Sequence, residues 1–317
     1  MKINEIYNLA IKMGIESDFR KKEEIDNQLK RLKEKYDKME ESEKQEFDLE
    51  KLTNPYSDTR ILFGDSQKKI KKVLVGVDID GEELLLANKF GDIDLVISHH
   101  PRGKALAELD NVMQLQADIL AQYGVPINIA EKLLHKRIEE VARGISPANH
   151  NRTVDMAKLL DLSFLCIHTP CDNLVAKFVD EKLKKDKPIF LEEIIKSLKE
   201  IPEYKNAVTI GAGPKIFVGN PENRCGKIVL TEITGGTEGS SEIYEKLAQA
   251  GAGTIIGMHQ SEKHREEAEK AHVNVVIAGH ISSDNIGMNL FLDKLEKQGI
   301  EIIPCSGLVR ISRKNEK

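Results

Sequence analysis

GKIVLTEITGG (226–236), SSEIYEKLAQAG (240–251), GTIIGMH (253–259), SEKHREEAEKAH (261–272), VNVVIAGH (273–280), DNIGMNLFLDKLEKQG (284–299) and EIIPCSG (301–307) succeed one another in the last third of the chain. Short runs rich in Val and Ile alternate with longer amphipathic ones, so the former read as buried strands and the latter as helices. Regular alternation with short connections calls for a largely parallel sheet covered by helices, an α/β fold. The same pattern occurs upstream. KKVLVGVDID (71–80), GEELLLANKFG (81–91) and DLVISHHP (94–101) make a βαβ unit, and SFLCIHTPCDN (163–173) reads as another strand running into a polar turn. Between them lies a helix-rich stretch from Leu106 to Leu160, broken at Gly144-Ile-Ser-Pro147. An inserted middle segment holds an amphipathic helix (Leu191 to Ile201) and a strand-like piece, NAVTIGAG (206–213). The expected units are an N-terminal helical region (1–65), a first α/β half (66–225) and a second (226–317).

Lys plus Arg number 47 against 52 Asp plus Glu, a formal charge of −5, and 40% of the 317 residues are hydrophobic. Such a chain can bury a core, and it has too little positive charge to hold nucleic acid by bulk attraction. With six Tyr, nine Phe and no Trp it also lacks an aromatic stripe for stacking bases. Cys166, Cys171, Cys225 and Cys305 include no CxxC pair and suggest neither a zinc ribbon nor a disulfide framework; a reducing, cytoplasmic setting is the expectation. No apolar run approaches the roughly 18 residues of a membrane span, and the amphipathic start MKINEIYNLAIKMGIESD has no signal-peptide core. From Arg20 to Lys51 charge dominates. Ile25, Leu29, Leu32, Tyr36 and Met39 nevertheless step by about one helical turn and form one stripe, fitted either to a partner or to the rest of its own domain.

Ligands of open α/β sheets gather outside the carboxyl ends of strands, and three of those ends carry histidine. His99 and His100 stand before Pro101. Neighbours on a regular strand face opposite ways, so both rings reach one site only if the strand ends there, which Pro101 favours. His168 precedes Asp172, and His280 precedes Asp284. A helix opening at Gly279-His280 would set His280 and Asp284 on one face, although Ser282 or Ser283 could cap it instead and turn the geometry. Any one cluster reads as packed or solvated histidine. Three together, in a chain with no thiolate site, point to divalent transition metals, whose usual ligands are imidazole and carboxylate.

VLVGVDID with DLVISHHP, then HTPCD, then AGHISSD resemble the NIF-three-like family of dinuclear-metal-centre proteins, also called GTP cyclohydrolase-like. The resemblance is good over 70–172, apart from insertions, and over 226–310. It is loose over 1–19 and poor in the charged helix and the middle segment. It implies two related α/β halves facing each other across two metal ions, and a toroidal homohexamer. Zinc, iron, manganese and nickel suit such ligands alike. The family's SHHP histidines, HTxxD aspartate and C-terminal GHxxxE pair correspond to His99, His100, Asp172, His280 and Asp284. Three departures stand out: Asp284 is a methylene shorter than the family's glutamate, an insertion spans 127–151, and Arg102-Gly-Lys104 puts positive charge where the family runs apolar.

Around these residues, His168 would position Asp172 or carry a proton. His264 resembles a histidine found near the metals in the family and would share that work; a solvated helix histidine is its plainer reading. His259 flanks the same turn, and His150 sits in the inserted loop. Asp80 reads as a helix N-cap and Asp78 as a partner for a ligand histidine. Arg102, Lys104 and the turn at Gly235, Gly236 and Thr237, leading into a helix expected from Ser240-Ser241, would hold an anionic substrate; the turn otherwise reads as a tight connection. Two functions fit. One is a metal-dependent hydrolase acting on a small anionic substrate, with a nucleotide or pterin precursor suggested by the family's label. The other is a non-catalytic metal-binding homo-oligomer serving as regulator or interaction scaffold. Five ligands for two ions leave positions open to water, which favours the hydrolase.

Overall fold

The computed structural model describes residues 1–313. Nine strands among them are β1 (Arg60–Phe63), β2 (Lys72–Gly76), β3 (Leu95–Ser98), β4 (Ser163–Cys166), β5 (Lys215–Val218), β6 (Lys227–Glu232), β7 (Ala252–Gly257), β8 (Asn274–Ile277) and β9 (Glu301–Cys305). They form two sheets, ordered β1-β4-β3-β2-β9 and β5-β8-β7-β6. In each, the first-named edge strand is antiparallel to its neighbour and the other pairs are parallel. Without β9 the two sheets have the same strand order, so the molecule is two related α/β halves.

Parallel strands are covered on both faces and read as continuous apolar runs; β3 and β4 are buried throughout. The helices that follow β4 (Thr169–Asp186) and β8 (His280–Glu296) lie between the sheets. Cys171, Met288, Phe291 and Leu292 join Val73, Val75, Leu95 and Leu165 of the first sheet. Val175, Val179, Leu183 and Ile286 join Leu230, Ile256 and Val276 of the second. The outer face of the first sheet is closed by Leu84, Ala87 and Ala157. Met113, Leu120, Leu134 and Ile138 close that of the second.

Several expectations change. The stretch 127–151 holds a 19-residue helix, Ile127–Ile145, whose apolar face covers the second sheet. The boundary at 225/226 does not follow the sheets: β5 precedes it yet belongs to the second sheet, while β9 pairs with β2 in the first, Gly76 opposite Cys305. The first half of NAVTIGAG is helical, within Pro202–Thr209, because Pro202 opens the helix and Tyr204 and Ala207 are buried one turn apart, and the second half is a turn rather than a strand. The charged segment forms a helix over Lys22–Asp37. Its stripe faces its own domain, with Ile25 fully buried and the Tyr36 ring 4.9 Å from that of Phe47. No helix among the described residues is long and apolar enough to cross a membrane.

Candidate metal centre

The carboxyl ends of β3, β4 and β8 meet between the halves. β3 stops at Ser98, whose hydroxyl donates to the His100 carbonyl at 2.7 Å; the chain bends, and the His99 and His100 rings come to share one side with centroids 5.3 Å apart. Beyond β4, His168 precedes a helix that carries Asp172 in its first turn. After β8 comes Gly279 at φ +112°, where an added Cβ would also lie 2.8 Å from the Ala212 carbonyl oxygen. Only glycine suits that turn, which starts the helix at His280 and puts Asp284 one turn on. The two helices touch at Gly287, where a Cβ would stand 2.2 Å from the Cys171 carbonyl oxygen. This bare contact brings Asp172 and Asp284 to one place.

His99 Nε2 lies 3.3 Å from Asp172 Oδ1 and 3.5 Å from Asp284 Oδ1. His100 Nε2 and His280 Nε2 lie 3.4 Å and 3.7 Å from Asp284 Oδ2. Asp284 therefore offers one oxygen to His99 and Asp172 and the other to His100 and His280. These separations exceed the usual N–H···O range. They match the spacing of about 3.4 Å between two ligand atoms each about 2.0–2.1 Å from a tetrahedral ion. His99 Nε2, His100 Nε2, Asp172 Oδ1 and both Asp284 oxygens are buried with no hydrogen-bond partner, a costly state that a cation relieves. The opposite ring nitrogens are occupied: His99 Nδ1 meets the Ile167 carbonyl at 3.0 Å and His100 Nδ1 meets Asp78 at 2.8 Å. Such contacts turn Nε2 toward a metal. Two groups of potential ligands, His99/Asp172/Asp284 and His100/His280/Asp284, share Asp284. The residues fit a metal ion, and the shorter carboxylate belongs to both sets.

Charge follows this geometry. Burial alone would lower His99, but Asp284 and Asp172 outweigh it and hold it well above the ordinary imidazole value. His280 is held low by burial, with His259 and His100 adding to it against the pull of Asp284. Burial opposes ionisation of Asp284, yet the surrounding imidazoles keep it well below the usual carboxylate range.

His168 is also at the site. Its Nε2 lies 3.7 Å from Asp172 Oδ2, its Nδ1 meets Asp58 at 2.8 Å, and with His99 and His100 it forms a third group of potential ligands. A polar cavity of about 30 Å³, room for a water, is lined by His168, Asp172, Asp284, His280, His259 and the turn residues Gly236 and Thr237. Gly235 sits behind, its carbonyl taking the Gln116 amide at 2.8 Å. The helix after this turn begins only at Ile243 and has seven residues, so it offers no N-terminus at Ser240-Ser241. Arg102 contacts Asp80 and the Ile79 carbonyl beside Asp78, and Lys104 pairs with Asp48 at 3.1 Å. His264 does not join the cluster. Its ring nitrogens meet Ser261 Oγ at 2.7 Å and the Gly239 carbonyl at 3.0 Å, fixing the loop behind the cavity.

Two residues escaped the sequence reading. Asp58, fully buried, orients His168 and accepts from Thr169 Oγ1 at 2.6 Å. Glu232, at the end of β6, lines the cavity, and burial together with Glu238 raises it to about 8. The first lies in NPYSDTR (54–60), which has no periodic signal; the second was legible only as a strand end.

No curated protein matches the sequence. Among solved structures the chain is similar to the NIF3 superfamily protein from Sphaerobacter thermophilus, at 28% identity and a TM-score of 0.72 over 80% of this chain and 92% of that one. It shares its fold with reduced HcgD from Methanocaldococcus jannaschii, at 18% identity and a TM-score of 0.50 over 77% and 87%. The profile of Duf34/NIF3 (NGG1p interacting factor 3) matches residues 50–306. With most of its length so matched, the chain belongs to the Duf34/NIF3 family.

Proposed function

We propose that the protein is a dinuclear metal-dependent hydrolase acting on a small anionic substrate. The family resemblance suggests a nucleotide or pterin precursor as substrate. The observation that carries this reading is the sharing of Asp284 between two incomplete ligand sets beside a water-sized polar cavity. When bound, two divalent cations supply polarisation of the scissile group and a water of lowered pKa. The chain's own residues do the rest. His168, tied through Nδ1 to Asp58, has Nε2 left to take or hold a proton at the cavity wall. Glu232, protonated near neutrality, stands ready to give one to a leaving group. Gly236 and Thr237 bound the space the substrate would fill. A toroidal homohexamer and a cytoplasmic setting belong to the same proposal; the free thiols of the four cysteines agree with the latter.

The test begins with elemental analysis of tag-free protein beside His100→Ala and Asp284→Ala, followed by a nucleotide hydrolysis screen with and without metal. About two transition-metal equivalents in the parent, loss in the variants and metal-dependent turnover are expected. Less than about half an equivalent after reconstitution with zinc, iron or manganese would sink the reading.

A further inference from the structure

Next to His280 lies a second cleft, of about 370 Å³, walled by Ala207, Ile210, Ala212, Ile281 and Val309. Ile210 is 80% exposed, Val309 48% and Ile281 40%. One exposed hydrophobe is ordinary, but three around a single concavity mark a binding surface. Several polar groups at its edge are already engaged. Asn285 donates to the carbonyls of Ile281 at 2.7 Å and Gly307 at 2.9 Å and accepts from the Val309 N–H. Ser282 Oγ donates to the Gly279 carbonyl at 3.3 Å, and Glu203 accepts from Asn289 and Arg313. A guest would therefore gain apolar burial there and few hydrogen bonds. His280 lines both this cleft and the polar cavity, and the volume falls in the range of small-molecule sites.

We propose that this cleft receives the apolar body of the substrate, a ring or short hydrocarbon chain, while its polar end sits at the metal centre. The inference rests on the reading of that centre as a hydrolase site and narrows its substrate to molecules of mixed character. A second copy of the chain would cover the same side chains, but a concavity of this size beside a metal ligand suits a small molecule better than a flat protein face.

The probes are hydroxamates, which seek metal ions, carrying tails of rising reach: acetohydroxamate, hexanohydroxamate, benzohydroxamate and 4-phenylbutyrohydroxamate. Calorimetry on the zinc-reconstituted protein gives the ratio of each affinity to that of acetohydroxamate. The ratio should reach about tenfold or more once the tail is long enough. It should fall toward one in Ala212→Trp, which fills the cleft, and in Ile210→Asn, a change at an exposed position that leaves folding intact. Acetohydroxamate binding with no tail preference at any length would overturn the cleft and spare the metal centre. No binding of acetohydroxamate itself would overturn both. An unaltered tail preference with a changed solution mass in either variant would assign the surface to a second copy and refute the proposal.

Discussion

Loading the site with metal should expel a proton from His99. Its Nε2 lies between Asp172 Oδ1 at 3.3 Å and Asp284 Oδ1 at 3.5 Å, and these carboxylates overcome burial to hold the imidazole well above its ordinary value. A proton and a cation would compete for that nitrogen. His280, lowered by burial and its imidazole neighbours, brings none at neutral pH. Binding of the ion held by His99 is then a metal–proton exchange. Its apparent affinity should rise about tenfold per pH unit up to the raised His99 pKa, about 1.4 kcal/mol for each unit. The sign for folding runs opposite. A raised imidazole pKa stabilises the ion-free protein fully below the ordinary value of 6.5, and this contribution is lost as pH rises through the folded-state value. Calorimetric titration of chelator-stripped protein with zinc at neutral pH, in buffers of different ionisation enthalpy, counts the protons. At least one should leave, and Asp172→Asn, which removes one of the charges that hold it, should reduce the number. Zero protons released with either ion would refute the electrostatic account.

Gly287→Ala would place a Cβ 2.2 Å from the Cys171 carbonyl oxygen; the helices must part by about 1 Å or more, at a cost of about 1–3 kcal/mol. A lower melting temperature with reduced metal content is expected, and full loading at an unchanged melting temperature would contradict the packing argument. Asp78→Asn removes the carboxylate from His100 Nδ1 and should weaken one ion about 10–100-fold in chelator competition. Glu232, raised from 4.5 to about 8, binds a proton in the folded state that the unfolded chain has released. Denaturant unfolding of ion-free protein should therefore show stability falling as pH rises between these values, with the fall blunted in Glu232→Gln. His264→Ala should keep its metal and lose about 1–2 kcal/mol of stability, because the Gly239 carbonyl and Ser261 lose their partner.

Much of the site was legible because strand ends leave short marks. SHHP combines two imidazoles with a residue that stops a strand, and the two His-x3-Asp elements span one helical turn each. The likeness of the two halves was harder to see. It lies in strand order, and its antiparallel edge strands β1 and β5 are only four residues long. NAVTIGAG misled because Val, Thr and Ile suit strands, while Pro202 and a buried face decided for a helix. Asp58 and Glu232 reach the site only through folding: the first is 110 residues from the histidine it holds, and no local pattern encodes that distance.

The two halves being unlike at the site bears on how metal would be taken up. In a dimer of identical units, both His-x3-Asp elements would mutate together and hold their ions alike. Joined in one chain, they can differ: the first half supplies His99 and His100 after its β3, whereas the second supplies His259 at the matching place after β7. If the site takes two ions as proposed, the one at His99 would compete with the proton that the raised imidazole favours, while burial keeps His280 low and ready for a cation. Two unlike halves in one chain would then fill in sequence, so that falling pH should empty the His99 position first and leave a half-filled protein as a distinct species.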